Sequence, residues 1–383
     1  MKALFGEFYY PDGTTIDFDS VMKLQKFFMQ WFRKEREKEL LTFPVLTASI
    51  LENKDKKSFV DEPFVDFLSE EMENGLSFFI YMSDSADSLS SCCRLKNELA
   101  ENDFSYSLGA GGVITGSSQV ITINANRLFQ THKKESMPFV VKRVQKYLTA
   151  FKEVYRGYIE AELLPAYSSG IIDIDKQFVT IGINGLVEAA EFSGLTVSNN
   201  KEYIDFCSKF LGMIKKLNTK YKKETGNKVN TEIIPAENLG VKNAKWDKAD
   251  GLVLNRDCYN SYFYLVEDND STILDKIVLH GDSITKYLDG GSALHANFEQ
   301  LLSKEQFKEI FNICMKHGVP YWTFNVKMTC CNACSFIDAS TRTKCKRCGS
   351  EDVDYASRVI GYLKRIKNYS LPRQIEAERR FYM

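Results

Sequence analysis

The chain has 383 residues, of which 44% are hydrophobic and 26% are charged, and its formal net charge is -1 at pH 7. This is an ordinary globular composition, and the length allows one large core plus a smaller module. The near-zero charge argues against a nucleic-acid or anionic-membrane partner. Because we find neither a signal-peptide pattern nor an apolar run of roughly 20 residues, we expect a cytoplasmic protein with no membrane contact.

Helices and strands are predicted to alternate along most of the chain. In chain order the predicted elements are helix 19–38, strands 41–50, 75–82 and 119–128, helix 138–163, strand 178–184, helices 184–192 and 201–224, strands 230–235 and 261–265, helix 304–317 and strand 320–326. The stretch 83–118, rich in Ser, Gly and Asn, is long for a connection inside a domain, which favours a functional loop. The alternation predicts an α/β fold with a largely parallel sheet or barrel.

Five of the ten cysteines fall between Cys330 and Cys348. Cys331 and Cys334 form one Cys-x-x-Cys pair, and Cys345 and Cys348 form a second pair ten residues further on. A two-residue gap lets a tight turn direct both sulfurs at one ion, and two such pairs complete the tetrahedral sulfur shell that suits Zn²⁺. A closed four-sulfur site is usually structural. The fifth thiol, Cys330, leaves a redox role open.

The string RVIGYL, at Arg358–Leu363, lies just after this cysteine cluster. It resembles the glycyl-radical loop of anaerobic (class III) ribonucleotide reductases. Other stretches resemble the same family, and they occur in the family's order: LFGEFYYPDGT, SDSADSLSSCCRLKNE, FSYSLGAGGV, ITINANRL, IGINGLVEAAEF, IIPAENLGVKNAKWDK, CYNSYFYLVED and YLDGGSALHANF. The resemblance covers nearly the whole chain and matches the C-terminal part of a catalytic subunit.

The resemblance implies a specific division of the α/β fold. Residues 1–326 are expected to form the second half of a ten-stranded glycyl-radical-enzyme α/β barrel, with a finger loop at about 83–118. Residues 327–355 are expected to form a four-cysteine zinc ribbon, and residues 356–383 the radical loop and C-terminal tail.

The resemblance also assigns catalytic roles. It places the stored radical on Gly361 and a transient thiyl radical on Cys93, which directly precedes Arg94 as in the family's finger loop. Glycine suits a planar carbon radical because a Cβ atom would crowd it. Glu237, in IIPAENLG, is a candidate proton relay, with a surface glutamate at a strand end as the alternative.

Four further positions are weaker candidates for substrate binding. They are Cys92, Ser107, Asn124 and Gly291. The polar side chains can hydrogen-bond a sugar, and a glycine lets backbone N–H groups approach a phosphate. Buried thiols and plain turns explain such residues equally well.

The function implied is anaerobic reduction of ribonucleoside triphosphates to 2′-deoxyribonucleotides by a glycyl and thiyl radical mechanism. The implied cofactors are Zn²⁺ and a glycyl radical, which a separate activating enzyme installs with S-adenosylmethionine and a [4Fe-4S] cluster. The implied partners are that activase, a ribonucleotide substrate, formate or a small thiol protein as reductant, and a second subunit in a dimer.

Complete catalytic chains of the family carry a further N-terminal half, which has no counterpart here. We therefore expect either a separate N-terminal reductase polypeptide or a fragment, because half a barrel would expose a strand edge. Two alternatives remain for the function. One is another glycyl-radical enzyme, similar to pyruvate formate-lyase, and the other is a non-catalytic zinc-ribbon binding fragment.

Overall fold

The computed structural model describes residues 12–53, 55–84, 88–91, 95–98, 116–234 and 237–383. Its helices are α1 Phe18–Arg36, α2 Glu62–Glu73, α3 Ala125–Thr131, α4 Met137–Glu160, α5 Pro165–Ser168, α6 Leu186–Phe192, α7 Lys201–Thr225, α8 Glu237–Ala249, α9 Ile273–Leu279, α10 Asp282–Thr285, α11 Lys304–His317 and α12 Leu371–Arg379. Its strands are β1 Thr47–Leu51, β2 Phe79–Ser83, β3 Ser88–Ser91, β4 Leu95–Glu98, β5 Ser117–Asn124, β6 Phe178–Asn184, β7 Val229–Ile233, β8 Leu294–Phe298, β9 Tyr321–Val326, β10 Met328–Cys331, β11 Ile337–Asp338, β12 Val353–Arg358 and β13 Leu363–Arg365.

Local capping explains where the long helices begin and end. Asn200 accepts a hydrogen bond from the Tyr203 N–H at the start of α7, and the helix ends at Gly226, whose φ is 74°. In α11, Ser303 and Gln306 form a reciprocal capping box, and Gly318 ends the helix with a φ of 69°. Such caps satisfy backbone groups that a helix leaves unpaired at its ends. The two helices therefore match their predicted ranges closely.

Seven strands form the main sheet, in two hydrogen-bonded groups. One group has the order β1-β2-β9-β8 and the other the order β5-β6-β7. All neighbours are parallel except β2 and β9. One parallel bridge, from Glu232 to Gly291, joins β7 to the segment that leads into β8. Among the described residues, β1 and β5 are outer strands, so the sheet is mixed, largely parallel and open. The ten-stranded barrel of which it was expected to form the second half is not confirmed.

The main core lies between these strands and the helices that cover them. Strand β6 is buried along nearly its whole length, as expected for a parallel strand covered on both faces. Ile181 and Ile183 are fully buried. At Gly182 an added Cβ atom would lie 2.3 Å from Ile234 Cγ1 and 2.5 Å from Thr122 Oγ1, so only glycine permits this close packing of neighbouring strands.

One predicted strand extended too far and another was wrong, in each case because an asparagine side chain binds the backbone. The strand expected at 119–128 stops at Asn124, which accepts a hydrogen bond from the Arg127 N–H and begins helix α3. The segment 261–265 is irregular. There Asn260 accepts from the Tyr262 N–H and donates to the Tyr264 carbonyl, which supplies partners that a strand would otherwise need.

A second sheet carries the C-terminal part of the chain. Its order is β11-β10-β12-β13 and all its neighbours are antiparallel. A small apolar cluster fills one face, and it includes Met328, Ile337, Ala356 and Leu363. No helix of the described chain is both long and apolar enough to cross a membrane.

Candidate metal centre and radical loop

The four cysteines of the two Cys-x-x-Cys pairs converge. Their sulfur atoms all lie within 4.8 Å of one another. Cys331 Sγ is 3.6 Å from Cys348 Sγ, and Cys334 Sγ is 3.6 Å from Cys345 Sγ. A tetrahedral site with Zn–S bonds of about 2.3 Å separates its sulfurs by about 3.8 Å. The four thiols therefore fit a metal ion such as zinc.

Backbone groups prepare these sulfurs for a cation. The Cys334 N–H donates to Cys331 Sγ at 3.4 Å, and the Arg347 N–H donates to Cys345 Sγ at 3.3 Å. The backbone hydrogen bond from Cys348, supported by that from Arg347, lowers the pKa of the Cys345 thiol to about 6. Thiolates are the ligand form of cysteine, so this turn favours metal binding.

Cys330 faces away from the metal cluster. It is fully buried in the apolar cluster of the second sheet, and burial raises the pKa of its thiol to about 11. A neutral thiol without solvent access is a poor nucleophile. The structure thus gives Cys330 a packing role and offers no support for the redox role that the sequence left open.

Gly361 lies in the tight loop between β12 and β13. We call residues Arg358–Leu363 the radical loop, a name that rests on the family resemblance alone. The Val359 N–H donates to the Tyr362 carbonyl at 3.1 Å across this loop. Gly361 is not among the glycines with positive φ, and a Cβ added to it would meet no described atom within 4 Å. Neither backbone conformation nor packing in the described part of the chain requires glycine at this position. Another reason is needed for its presence.

Arg358, at the end of β12, is buried against this loop. Its guanidinium donates to the Gly361 carbonyl at 3.1 Å and to Ser77 Oγ at 3.1 and 2.9 Å. The group lies 4.6 Å from the centre of the Phe79 ring. Burial lowers the pKa of Arg358 to about 9, and the nearby charge of Arg36 acts in the same direction.

Arg380, just after α12, contacts the same loop from about twenty residues further along the chain. It donates to the Arg358 carbonyl at 2.6 Å and to the Val359 carbonyl at 2.9 Å. It also forms an ion pair with Glu376 at 2.7 Å. Burial opposes both charges, but the pairing outweighs it, so the pKa of Arg380 is raised and that of Glu376 is lowered.

Glu237 is brought to the radical loop from the start of α8. Its Oε2 accepts a hydrogen bond from the Tyr362 hydroxyl at 2.6 Å, and Lys364 Nζ lies 3.8 Å from its Oε1. Its backbone carbonyl accepts from Arg373 Nε at 3.1 Å. Partial burial, then the hydrogen bond to Glu237 and the charge of that carboxylate, raise the pKa of Tyr362 to about 12, so the phenol stays protonated at neutral pH.

The other predicted positions lie elsewhere or outside the described residues. Asn124 caps α3 and donates to Asp247 at 2.9 Å. Gly291 has a φ of 93°, and its carbonyl accepts from the Ile233 N–H at 3.1 Å, so it has a clear backbone role. Three positions of the expected finger loop, Cys92, Cys93 and Ser107, lie outside the described residues.

Sequence reasoning missed Ser77, Glu376 and Arg380. The i, i+4 spacing of Glu376 and Arg380 predicts an ion pair on one helix face. Nothing local predicts that Arg380 reaches carbonyls 21 and 22 positions earlier, or that Ser77 meets an arginine 281 positions later.

The fold defines a mixed α/β protein whose C-terminal module brings together four cysteines that fit a metal ion. Residues 12–382 match the family model described as anaerobic ribonucleoside-triphosphate reductase. The chain belongs to this family. A search of curated proteins gave no match.

Solved structures agree with this assignment. The chain is similar to a structure described as an anaerobic ribonucleotide reductase, with a TM-score of 0.85 and 26% identity, over 100% of this chain and 62% of that one. It is also similar to the Thermotoga maritima anaerobic ribonucleotide reductase in complex with dATP and CTP, with a TM-score of 0.81 and 28% identity, over 98% of this chain and 63% of that one. The same enzyme with glycerol in the active site gives a TM-score of 0.80 and 28% identity, over 99% of this chain and 61% of that one. The chain thus spans about 62% of the length of these relatives.

Proposed function

We propose that the chain contributes to anaerobic reduction of ribonucleoside triphosphates to 2′-deoxyribonucleotides, with Gly361 as the site of a stored radical. The family match over residues 12–382 carries this proposal. The loop supports it independently, because no described contact and no positive φ require glycine at position 361. An α-carbon radical does require glycine, since it must be planar and a Cβ atom would crowd it.

The proposed reaction moves one hydrogen atom along a short relay. The Gly361 radical takes hydrogen from the Cys93 thiol, and the resulting thiyl radical takes the 3′ hydrogen of the ribose. The 2′ hydroxyl then leaves as water after gaining a proton. Formate or a small thiol protein supplies the two electrons of the reduction, and Cys93 returns hydrogen to the 3′ carbon.

We assign Glu237 to proton transfer near the ribose hydroxyls. Its contact with Tyr362 keeps a carboxylate beside the loop that carries Gly361. A positioned carboxylate is a suitable acid or base for the loss of water. Cys92, Ser107, Asn124 and Gly291 remain proposed substrate contacts. The complex of the Thermotoga maritima enzyme with dATP and CTP supports a nucleotide substrate.

We propose Zn²⁺ as the ion of the four-cysteine site, with a structural role. Strand β10 ends at the ligand Cys331 and pairs with β12, which leads directly into the radical loop. A metal at one end of this sheet would therefore anchor the strand that carries Arg358. We accordingly divide the chain into a partial barrel (1–326), a zinc segment (327–355) and a radical loop with tail (356–383).

A further α/β segment is proposed to complete the sheet. Seven strands are described in the main sheet, so a ten-stranded barrel would need three more between β1 and β5. Helix α1, which precedes β1 in sequence, and helix α4, which packs against β5, each carry an exposed apolar stripe. The stripes consist of Leu24, Phe27, Phe28 and Trp31 on α1, and of Tyr147, Phe151, Val154 and Tyr158 on α4. These stripes and the outer strands support docking of an N-terminal reductase segment, in an enzyme that we expect to be a cytoplasmic dimer.

The decisive test is anaerobic activation by a radical-SAM activase, with the N-terminal reductase segment supplied. We expect a doublet in the electron paramagnetic resonance spectrum of the wild type and none in Gly361→Ala. Formation of deoxynucleotide, rather than acetyl-CoA, would distinguish a reductase from a formate-lyase-like enzyme. A doublet that persists in Gly361→Ala would remove Gly361 from the mechanism.

A further inference from the structure

We propose that two buried guanidinium groups, those of Arg358 and Arg380, hold the radical loop by binding three of its carbonyl oxygens. In this arrangement Arg380 is a positioning residue that acts on Gly361 from the C-terminal helix. Only the effect of these residues on the radical rests on the proposed function, because their hydrogen bonds to the loop are present before activation.

The Arg380 contact fixes the start of the loop. One guanidinium spans two successive carbonyls, those of Arg358 and Val359, at 2.6 and 2.9 Å. The planar fork of arginine suits such two-point binding, and charge-assisted hydrogen bonds are about twice as strong as neutral ones. Since Arg380 is only 7% exposed, water competes little for these carbonyls.

The Arg358 contact acts at the glycine itself. Its N–H group donates to the Gly361 carbonyl at 3.1 Å, and the rest of the guanidinium is held by Ser77 Oγ. A radical on the Gly361 α-carbon would delocalise onto that carbonyl oxygen. A cationic donor already aimed at this oxygen stabilises the charge-separated form without reorganisation. Arg358 would therefore influence how the spin is shared as well as where the loop lies.

Side chains of the C-terminal helix, α12, connect Arg380 to the rest of the site. Glu376 binds Arg380 through both carboxylate oxygens, at 2.7 and 2.9 Å. It also accepts from Arg373 at 3.3 Å, and Arg373 in turn donates to the Glu237 carbonyl at 3.1 Å. One continuous set of buried and partly buried polar contacts thus joins α12, the radical loop and the start of α8. Displacing α12 would remove contacts from the loop and from α8 together.

Hydrogen–deuterium exchange on the full unactivated chain tests directly whether Arg380 holds the loop. We expect Arg380→Gln to speed amide exchange in peptides covering 356–365 by about tenfold or more, because two charge-assisted hydrogen bonds are lost. Arg379→Gln is the matched control, since Arg379 is the exposed neighbour on the same helix end. We expect it to exchange like the wild type. Equal exchange in the two variants would overturn the proposal.

A second variant covers the case in which Arg380→Gln does not fold, as judged by thermal unfolding and metal content. Arg380→Lys keeps the charge but lacks the planar fork that spans two carbonyls. We expect faster exchange of the same peptides in this variant while its metal content stays at the wild-type level. Wild-type exchange in a folded Arg380→Lys protein would also overturn the proposal.

Electron paramagnetic resonance separates positioning from a merely structural role. After activation of the complete enzyme, we expect the Arg380→Gln radical to decay about tenfold faster than that of Arg379→Gln. We expect Arg358→Lys to change the hyperfine splitting of the doublet, because the donor to the Gly361 carbonyl is altered. Unchanged decay and unchanged splitting would contradict the proposed effect on the radical. Absence of any doublet in the wild type would instead count against the proposed function. The exchange experiment would still show whether Arg380 holds the loop.

Discussion

The metal centre and the radical loop lie on the same small sheet but are held in different ways. All four cysteines proposed as metal ligands lie between Cys331 and Cys348, within 18 positions of sequence. The radical loop depends on Ser77 and Arg380, which lie far from it in sequence or beyond the sheet. The metal centre is therefore a locally determined structure, whereas the loop is assembled by tertiary contacts.

This difference determines which changes should disrupt each region. A site whose ligands share two tight turns should fail only when a ligand or the ion is lost. A loop held by remote side chains should fail when any of several distant positions changes, even though its own sequence is intact. Substitutions in the two regions should therefore have separable effects on metal content and on the loop.

Loss of one metal ligand should have the largest effect. We expect Cys331→Ser to reduce bound zinc from about one equivalent per chain to less than half. The C-terminal sheet should lose several kcal/mol of stability, because metal binding free energy contributes directly to folding. Metal analysis and thermal unfolding would measure the two effects.

Cys330→Ala is the matched control, since Cys330 is the adjacent thiol but packs in the apolar cluster. It should keep full metal content and lose only about 1 kcal/mol, the cost of a small cavity. Equal metal loss in the two variants would show that the neighbouring core, rather than the four thiols, determines metal binding.

A remote serine should matter to the radical loop but not to the metal. Ser77 Oγ receives two hydrogen bonds from Arg358, at 3.1 and 2.9 Å. We expect Ser77→Ala to lower the free energy of unfolding by about 3 kcal/mol, since a buried guanidinium loses its partner. Exchange in the 356–365 peptides should rise while zinc content stays unchanged.

Ser69→Ala is the comparison variant. Ser69 is also fully buried, but its hydroxyl donates only to the Val65 carbonyl within its own helix. It should leave exchange in the loop unchanged. If Ser77→Ala also released zinc, the two regions would not be independent, and the contrast between them would fail.

The same contrast explains which features the sequence could predict. The Cys-x-x-Cys spacing predicted which four thiols converge, and helical periodicity predicted α7 and α11, because the determining residues are neighbours. Strand β1 was predicted from residue 41 but begins at Thr47, after Pro44, which has no N–H to donate. The predictions for 261–265 and for the end of β5 failed where side chains of Asn260 and Asn124 bind the backbone.

The candidate site divides in the same manner. Gly361 and Glu237 were identified by resemblance to a family, and the structure places Glu237 against Tyr362 next to the glycine. The Arg380 contacts were not predicted. A side chain that reaches a carbonyl in another element leaves no periodic or spacing signal, so only the folded chain reveals it.

Glu376 and Glu52 are two carboxylates whose pKa values shift in opposite directions. Two guanidinium groups lower the pKa of Glu376, whereas burial raises the pKa of Glu52 from 4.5 to about 7. Between pH 4.5 and 7 the folded state keeps a proton on Glu52 that the unfolded state has lost, so stability should fall as pH rises through this window. We expect Glu52→Gln to remove about 2 kcal/mol of this fall, after allowing for solvent screening.

Urea unfolding of the wild type and Glu52→Gln at pH 5 and pH 8 would measure this effect. Asp61→Asn is a suitable control because Asp61 is an exposed helix cap. As pH rises from 5 to 8, Glu52→Gln should gain stability relative to the wild type. Asp61→Asn should show no such gain. A wild type whose stability rises over this range relative to Glu52→Gln would contradict the assignment.

The smallest expected effect concerns the link between the loop and α8. Tyr362→Phe removes the hydroxyl that donates to Glu237 Oε2 at 2.6 Å, and we expect a loss of about 1 kcal/mol because the pair is only partly buried. Tyr355→Phe is the control, since that exposed hydroxyl donates to the Arg342 carbonyl on the metal side of the same sheet. Loop exchange should rise in the first variant and not in the second. If loop exchange rose equally in both variants, a change at either end of the sheet would affect the loop. The two ends would then be separate in their hydrogen-bond contacts but not in their dynamics.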